Sequence, residues 1–536
     1  MTRVDAAGRA AFGILTLALV ASGCGWILGL DEFTDAPPPS EGTGGQGGGC
    51  EPGATVACYD GPEGTEGVGI CAGGTTTCGE DGMAQGVCEG QVTPGAETCV
   101  NPADEDCDGH DCVVWAKMFG DVSDQTIGGM AVDGGGNVYV AGWFNGTLAF
   151  DPEAPISANG TDLFVGKLDP AGKPLWSRSF GATSGTAYVS GIAVGPDGSL
   201  ALAGTFTGDL DFDGTVLQAS AYQANYVAKL TSDGGVLWST RHSLGDSNTV
   251  ASPAIDSTGD IILFGTSACS AACLPPTEQL WIRKLHPDGS VSWTKPFPSN
   301  EMLDSHTAGA VTVDPFDNII ITGSFSESQS FGSVSLTANG GSDVFVAKLD
   351  STGLVIWGDS YGDAADQLGR DVIADSLGNV ILVGTYTGNV NFGDPGDELT
   401  AIDLNDVFVA KLSSAKIHLW SRSLGGTGNQ EVVRAAVDEN NAIVLTGKVT
   451  GLADFGGGPI AGGGGLDLSL VKLAPDGRHL WSKVLGDDQE QFGRALATAA
   501  GGDTLLGAVV SGTIELGGVS ASADGGRDIL VARLAP

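Results

Sequence analysis

Apolar residues recur along the chain in a pattern that predicts antiparallel hairpins. The clearest copy is DVFVAKLDSTGLVIWGDSYG, which begins at Asp343. It consists of an apolar run that ends in a lysine, a Ser-Thr-Gly turn, and a second run that carries a tryptophan. Similar copies begin at Asp162, Asp406 and Asp467. Short runs rich in β-branched and aromatic residues on either side of a turn are typical of two paired strands.

A second hairpin pattern lies between successive copies of the first. Residues 130–142, 192–204 and 372–384 each hold two apolar runs joined by a turn that contains Gly-Asn or Asp-Gly. These dipeptides suit turns because they accept a positive φ. The flanking runs are apolar at nearly every position, which predicts strands buried on both faces. Each unit therefore supplies four strands.

Tryptophans mark the repeat at intervals of roughly sixty residues. They are Trp115, Trp176, Trp238, Trp293, Trp357, Trp420 and Trp481. A repeat of this length with four strands in each unit predicts a β-propeller. The chain ends at Pro536, without a tryptophan strand after the last lysine-type strand. We therefore expect residues 113–119, which carry Trp115, to complete the seventh blade beside residues 528–534.

The predicted fold class is all-β: a seven-bladed β-propeller over residues 113–536, preceded by a small disulfide-rich segment and a flexible lipoprotein tether. The D-x-FVAKLD unit with its tryptophan, and the Gly-Asn-Val-Tyr-Val-Ala-Gly hairpin, resemble the SBBP repeats of exported bacterial lipoproteins and surface proteins. The resemblance implies a seven-bladed propeller. It implies little about chemistry.

Residues 1–24 predict an export signal with a lipid anchor. Arg3 and Arg9 flank the start of an apolar run, 10–20, that is too short to span a bilayer. The run ends in ASGC, which resembles a bacterial lipobox with alanine in place of the usual leucine. The resemblance implies lipidation of Cys24, and hence a protein anchored in the bacterial cell envelope, at the outer membrane or cell surface. The alternative is an ordinary secretory signal.

A flexible linker and a cysteine-rich segment follow the signal. Residues 25–49 are rich in proline and glycine and predict a tether. Residues 50–112 hold eight cysteines, and two more lie together further along, which predicts disulfides in an oxidising compartment. Eight cysteines allow 105 pairings, among which the sequence does not choose. The disulfide candidates are Cys50, Cys58, Cys71, Cys78, Cys88, Cys99, Cys107 and Cys112, with Cys269 and Cys273 as a separate local pair.

An acidic stretch at the end of this segment predicts a calcium site. Asp104, Asp106 and Asp108, followed by Gly109, place carboxylates at alternate positions before a turn. Such a pattern can wrap oxygen ligands around Ca²⁺. Trp115 stands at the twelfth position, where an EF-hand needs a glutamate, so a full EF-hand is excluded. The alternative is an acidic turn that binds no metal tightly.

The same stretch resembles the DCDG metal-binding motif of exported bacterial proteins. The motif has a Pro-Gly-x-Glu-x-Cys start, an acidic spacer, and an Asp-Cys-Asp-Gly end. The matching residues are Pro94, Gly95, Glu97, Cys99, Asp106, Cys107, Asp108 and Gly109. The resemblance implies a metal without identifying it. Zinc bound by Cys107, His110 and Cys112 is disfavoured, because thiols outside the cytoplasm are expected to be oxidised.

The net charge of the chain limits the kinds of molecule that it is expected to bind. Lys and Arg total 24 against 65 Asp and Glu, which gives a formal net charge of −41. A surface this acidic repels phosphate backbones, so nucleic acid is not an expected partner. Divalent cations or basic partners fit this charge. The simpler interpretation is that the charge keeps a large exported protein soluble.

Two common catalytic motifs are missing from the sequence. H-E-x-x-H and the P-loop are absent, and the six histidines lack zinc spacing. The lysines and tryptophans that recur in every unit are interpreted as residues that build the blades, through ion pairs, capped strand ends and packing. The recurring cations are Lys167, Lys229, Lys284, Lys348, Lys411, Lys472 and Arg533, and Asp162, Asp343, Asp406, Asp467 and Asp528 stand five residues before five of them.

Binding is therefore the expected function. The propeller is expected to be a platform for an envelope protein or polysaccharide, with membrane contact through the lipid anchor only. A first alternative is a propeller hydrolase or lyase acting on glycans. Convergent carboxylates, or a histidine beside a carboxylate in the central channel, would indicate such an enzyme. A second alternative is a structural envelope protein stiffened by calcium.

Overall fold

The described part of the chain consists of strands, turns and loops. A computed structural model describes residues 50–536, apart from residue 63 and the segments listed here: 96–98, 100–102, 108–111, 220–222, 243–246, 270–276, 299–305 and 394–395. The predicted signal, the tether and Cys24 therefore lie outside the described residues, as do Asp108 and Cys273. Within those residues we find no helix with the length and apolar character needed to cross a membrane.

Seven antiparallel sheets with one strand order follow one another along the described chain. In each sheet the first strand pairs with the second, the second with the third, and the third with an outer strand. The first strands are Gln125–Val132, Ala187–Val194, Ser247–Val250 with Ala254–Ile255, His306–Val313, Gln367–Ala374, Gln430–Val437 and Gln491–Thr498. The second strands are Val138–Phe144, Leu200–Phe206, Ile261–Cys269, Ile319–Phe325, Val380–Tyr386, Ile443–Val449 and Thr504–Val510.

Third and outer strands complete the sheets, which we number 1 to 7 along the chain. The third strands are Asp162–Leu168, Ala224–Leu230, Thr277–Leu285, Asp343–Leu349, Asp406–Leu412, Asp467–Leu473 and Asp528–Leu534. The outer strands of sheets 1 to 6 are Pro174–Phe180, Val236–His242, Val291–Pro298, Val355–Tyr361, His418–Thr427 and His479–Leu485. The outer strand of sheet 7 is Val113–Phe119, which pairs with Asp528–Leu534 as expected from the sequence.

Short strands lie in the connections between second and third strands, except for Ala182–Ser184, which lies between the outer strand of sheet 1 and the first strand of sheet 2. They are Thr147–Leu148, Ile156–Ser157, Ala182–Ser184, Asp209–Phe212, Thr215–Gln218, Ser328–Phe331, Val334–Thr337, Asn389–Val390, Leu399–Thr400, Leu452–Asp454, Pro459–Ala461, Thr513–Leu516 and Val519–Ser522. All but Ala182–Ser184 form small hairpins in pairs. Their aromatic residues point inward: Phe150, Phe212, Phe331 and Phe392 are all buried.

The second and third strands are buried along their whole length, as their apolar composition predicts. Val380–Tyr386 and Asp406–Leu412 are buried at every position. The neighbouring sheets pack against both faces of such a strand and bury them from solvent. The apolar core of the described residues accordingly divides into clusters that each join two consecutive sheets, and one of these clusters joins sheet 7 to sheet 1. This arrangement is propeller-like.

The first strands lie closest to one another, and each contacts the first strand of the next sheet, including sheet 7 with sheet 1. Glycines allow this approach. A Cβ at Gly128 would clash with the carbonyl of Val189, and one at Gly309 with the carbonyl of Gly369. A β-bulge interrupts each continuous first strand at this level, for example between Gly369 and Asp371. Bulges bend the strand and expose carbonyl groups.

The recurring tryptophans seal each sheet against the next one. The indole of Trp115 packs on Gly172, a glycine of positive φ in the outer turn of sheet 1, and its Nε1 donates to the carbonyl of Pro170 at 3.0 Å. Trp238 donates in the same way to Pro287 at 2.9 Å. Glycine is required at the turn because its φ is positive and because a side chain would displace the indole. The tryptophans are packing residues, as the sequence indicates.

Residues 50–112 form a small cross-linked sheet. Strands Thr55–Cys58, Gly74–Cys78 and Ala84–Glu89 pair in sequence order. All eight cysteines of the segment form disulfides, and the structure supplies the pairing that the sequence leaves open. The bonds are Cys50–Cys78, Cys58–Cys88, Cys71–Cys107 and Cys99–Cys112.

The last of these disulfides lies on sheet 7. The outer strand of sheet 7, Val113–Phe119, precedes sheet 1 in the chain, whereas its third strand, Asp528–Leu534, follows sheet 6. No turn therefore joins these two strands. The Cys99–Cys112 disulfide packs with Trp481 of sheet 6 in one cluster, where other sheets present a turn. The amide of Ala535 donates to the carbonyl of Cys112 at 3.0 Å. The cysteine-rich segment thus covers the point at which the two chain segments of sheet 7 meet.

Candidate functional site

The recurring lysines form ion pairs within the sheets. Each contacts an aspartate in the turn between the first and second strands of its own sheet, and both side chains of most pairs are buried. Lys348 Nζ lies 2.7 Å from Asp314 Oδ2, with side-chain exposures of 4 % and 0 %. The remaining pairs are Lys167–Asp133, Lys229–Asp197, Lys284–Asp256, Lys411–Asp375, Lys472–Asp438 and Arg533–Asp503.

The turn aspartates hold their own turns as well. Asp314 Oδ1 accepts the backbone amides of Phe316 and Asn318, both at 2.9 Å. Burial by itself would raise the pKa of Asp314, but the hydrogen bonds from Lys348, Asn318 and the backbone outweigh it and hold that pKa below its usual value. Asp314 is therefore ionised at neutral pH and is fully occupied by donors from the protein.

The sequence indicated the ion pairs but not these partners. A signal was present: an aspartate stands at the start of the turn in sheets 1, 3, 4, 5 and 6. Sheet 2 has Gly195 there, and its lysine contacts Asp197 instead. Sheet 7 has Ala499 there, and Arg533 contacts Asp503 instead. The partner shifts along the turn but a carboxylate is always supplied.

The aspartates five residues before the lysines lie at the other end of the third strand. Asp343 is buried, one of its carboxylate oxygens has no partner, and it lies beside Gly362 together with the amide oxygen of Gln367. Burial and the neighbouring Asp363 raise the pKa of Asp343 to about 6. Asp528 has the same surroundings in sheet 7, with Gln125 as its neighbour, and burial raises its pKa to about 6.

The two ends of the sheets therefore differ. We call the end that carries the tight turns within each sheet the turn face, and the end that carries the longer connections the loop face. On the turn face neighbouring turns hold each other: the amide of Ser257 donates to Asp317 at 2.9 Å, and that of Ser376 to Asn441 at 2.9 Å. Asp317 and Asn441 adopt positive φ where other turns have glycine.

A cavity of about 410 Å³ opens on the turn face of sheets 3 to 6. Its acidic wall is formed by Asp256, Asp314, Asp375 and Asp438. Each of the four carboxylates forms an ion pair with the lysine of its own sheet. None of these four residues is therefore free to bind a metal ion in the cavity.

The loop face exposes apolar side chains. Ile402 and Leu404 are 68 % and 51 % exposed in the connection before the third strand of sheet 5, and Leu452 is 41 % exposed in sheet 6. Residues 427–429 join the two loops: the amide of Gly428 donates to Asp403 at 3.2 Å, and that of Leu452 to Thr427 at 3.4 Å. We call Ile402, Leu404 and Leu452 the 402–452 patch.

The residues of the predicted calcium site are only partly described. Asp104 is buried, and its backbone carbonyl accepts the amide of Ile70 at 3.1 Å. Asp106 is described, whereas Asp108 and Gly109 are not. Among the residues that the structure describes, no group of three or more His, Cys, Asp or Glu side chains is placed to hold a metal ion. Calcium binding by Asp104, Asp106 and Asp108 stays a prediction.

Two described histidines, His242 and His286, make polar contacts away from the space between the first strands. His286 Nδ1 lies 3.2 Å from Asp260, but this pair is on the turn face and His286 is half exposed. His242 contacts Arg283 at 2.6 Å, and burial followed by the charge of Arg283 lowers its pKa to about 4. Neither histidine lines the space between the first strands.

Comparisons with known proteins support a repeat fold of this kind. No family model matches the chain. A curated WD repeat-containing protein of Acanthamoeba polyphaga mimivirus, itself uncharacterized, is 22 % identical over 418 residues; the match takes in 62 % of this chain and 30 % of that protein. The chain thus spans about a third of the relative that it matches.

Solved structures are similar at low identity. A protein of unknown function from Dyadobacter fermentans shares 11 % identity, with 64 % of this chain and 93 % of that chain covered and a TM-score of 0.35. One from Bacteroides caccae shares 9 %, with 60 % and 89 % covered and a TM-score of 0.33. The Synechocystis apocarotenoid oxygenase shares 13 %, with 56 % and 62 % covered and a TM-score of 0.31.

Proposed function

We propose that the seven sheets are the blades of one closed β-propeller and that this propeller is a non-enzymatic platform for a protein partner in the bacterial cell envelope. Residues Val113–Phe119 would close the ring, in keeping with the resemblance to SBBP repeats. Lipidation of Cys24 would anchor the protein, and the tether would hold the propeller away from the membrane. Similarity to a WD repeat-containing protein supports an interaction scaffold.

The observation that carries this proposal is the 402–452 patch of the loop face, which exposes three large aliphatic side chains in two adjoining loops. The repeated cations and indoles, which would be the obvious ligand-binding residues, are used to hold sheets together. Exposed apolar groups rimmed by polar residues are typical of protein–protein contacts.

The partner is expected to present a complementary apolar surface with basic groups. Asp403 lies between Ile402 and Leu404, and the chain as a whole carries a net charge of −41. Complementary charge would speed association, while the aliphatic side chains would provide most of the affinity. The polysaccharide alternative would instead need aromatic platforms, which the patch lacks.

Site-specific photo-crosslinking in the producing cells tests the platform. A crosslinker at position 404 is expected to yield one protein adduct of defined mass, whereas a crosslinker at Leu377, which is 68 % exposed on the turn face, is expected to yield none. With the purified partner, Ile402→Ser/Leu404→Ser should weaken binding by about tenfold or more, and Leu377→Ser should not. An adduct removed by glycosidases, or equal adducts at both positions, would contradict the proposal.

A further inference from the structure

The cations of the chain that do not build the frame include three arginines on the first strands of consecutive sheets. Arg370, Arg434 and Arg494 stand at the bulge, or directly after it, in sheets 5, 6 and 7. The corresponding level of sheets 1, 2 and 4 carries glycine, serine or alanine. One wall of the space between the first strands is therefore small and neutral, and the other is cationic.

Arg434 reaches across this space, which we call the central channel. Its Nη2 donates to the carbonyl of Ser190 in sheet 2 at 3.3 Å, and its Nη1 donates to its neighbour Val433 at 2.9 Å. Arg494 reaches in the same direction, and its Nε donates to the carbonyl of Ile127 in sheet 1 at 3.5 Å. Among the described residues, no acceptor contacts the terminal amino groups of Arg494.

Arg434 and Arg494 stand on neighbouring first strands. Burial, and then the charges of Arg434 and Arg527, lower the pKa of Arg494. Asp371 lies at the same level in sheet 5, and its charge interacts with that of Arg434. One of its oxygens accepts the amide of Val372 and the other that of Ala435, each at 2.9 Å. Like charges that face each other in a buried place are unfavourable unless an anion lies between them.

A cavity of about 160 Å³ adjoins Arg434. Asp371, Ala495, Leu496, Met130 and Ser252 are also among its lining residues, and Ala495 directly follows Arg494. Guanidinium groups present paired N–H donors that match the oxygens of a carboxylate or phosphate. We propose that the central channel binds one small oxyanion, a carboxylate or phosphate group, between Arg434 and Arg494.

The oxyanion is either a free ion or the acidic end group of a larger molecule, and the probes used below separate these two cases.

The test is anion-dependent thermal melting and calorimetric titration of the mature full-length chain. The probes are inorganic phosphate, acetate and a glucuronic-acid disaccharide, at constant ionic strength with chloride. The wild type is expected to melt at a temperature that rises and then saturates with at least one probe. A response to phosphate or acetate alone would identify a free ion, and a stronger response to the disaccharide would identify an end group.

Arg494→Gln is the informative variant. It should weaken probe binding by about tenfold or more and, because a repulsive charge is removed, should melt no lower than the wild type without anion. Arg178→Gln, which removes an exposed arginine paired with Asp213 on sheet 1, is the control and should respond like the wild type. If no probe shifts the wild type, or if Arg494→Gln still responds fully, the oxyanion site is wrong and the arginines only fill the channel.

Discussion

At the scale of single residues, the lysine–aspartate pairs are the buried charges that recur from sheet to sheet. Each pair is formed within one sheet, but the lysine also reaches the next sheet: Lys472 Nζ donates to the carbonyl of Gly502 at 3.1 Å, and Lys411 to that of Pro475 at 3.2 Å. One ammonium group therefore neutralises a buried carboxylate and binds two neighbouring sheets. A pair of this kind is retained because either partner alone would be a buried charge.

Lys348→Met tests this role. We expect a loss of about 3–5 kcal/mol in the free energy of unfolding, because Asp314 would remain buried and ionised without its counterion. The exposed pair of Arg178 and Asp213 provides the control, and Arg178→Met should cost no more than about 1 kcal/mol. Urea unfolding followed by tryptophan fluorescence measures both. Adding Asp314→Asn to Lys348→Met should recover part of the loss; equal effects of the two single variants would refute the argument.

At the scale of the element, the third strands of sheets 4 to 7 each begin with an aspartate, and the first strand of the next sheet begins with a glutamine. Gln367 Nε2 donates to Asp363 at 2.8 Å, and its Oε1 accepts the amide of Asp363 at 3.1 Å, so the amide orientation is set. The free oxygen of Asp343 thus faces an acceptor. A protonated Asp343 can donate to that acceptor, whereas an ionised one cannot. The start of this strand therefore favours the protonated form of the Asp343 carboxyl.

The pH dependence of stability follows from this preference. The pKa of Asp343 and of Asp528 is about 6 in the folded protein against a usual value of 3.8. The folded state therefore binds protons more tightly than the unfolded state, and the stability that these two groups contribute is lost as pH rises from about 4 through 6. The turn aspartates with a lowered pKa act in the opposite sense, but only as pH falls below about 4. They are Asp133, Asp197, Asp256, Asp314 and Asp375.

Asp343→Asn and Asp528→Asn are expected to remove the neutral-pH penalty. At pH 7.5 each variant should be more stable than the wild type by about 1–2 kcal/mol, less than the full shift because solvent and local relaxation reduce it. At about pH 3.5, below the usual pKa of the carboxyl in the unfolded chain, most of the difference should disappear. Thermal melts across this range measure it, with Asp359→Asn, a partly exposed site on the outer strand of sheet 4, as the control. Stabilisation that is the same at both pH values would exclude protonation as the cause.

At the scale of the whole molecule, sheet 7 is the place where the two ends of the repeat region meet. Its outer strand and its third strand come from opposite ends of the repeat region, so no turn connects them. The Cys99–Cys112 disulfide packs there with Trp481 and Leu534. The described structure therefore uses a cross-linked segment to stabilise a pairing that every other sheet secures with a turn.

Cys99→Ser/Cys112→Ser should consequently destabilise the repeat region. We expect a loss of about 2–4 kcal/mol and faster proteolysis of residues 113–119. Cys50→Ser/Cys78→Ser removes a disulfide within the small sheet, outside the apolar cluster that joins sheets 6 and 7, and it should leave the main melting transition unchanged. Differential scanning calorimetry separates the two outcomes. If both double variants melt alike, the Cys99–Cys112 disulfide does not stabilise sheet 7.

Much of this architecture can be predicted from the sequence because the signals are local. Apolar runs, turn dipeptides and the tryptophan period indicate the strands of each sheet, and the tryptophan strand at Val113–Phe119 indicates its pairing with Asp528–Leu534. The even number of cysteines indicates disulfides. Each inference needs only residues a few positions apart, or a repeat that makes a missing strand evident.

Only the tertiary structure decided which groups meet. Lys348 has an aspartate five residues before it in the chain, yet its partner is Asp314, because alternate side chains of a strand and opposite strand ends face different surroundings. Arg434 and Ser190 are joined across the channel, and Cys99 is joined to Cys112 rather than to any nearer cysteine. Composition and periodicity determine the sheets, while contacts between distant residues depend on how seven sheets pack side by side.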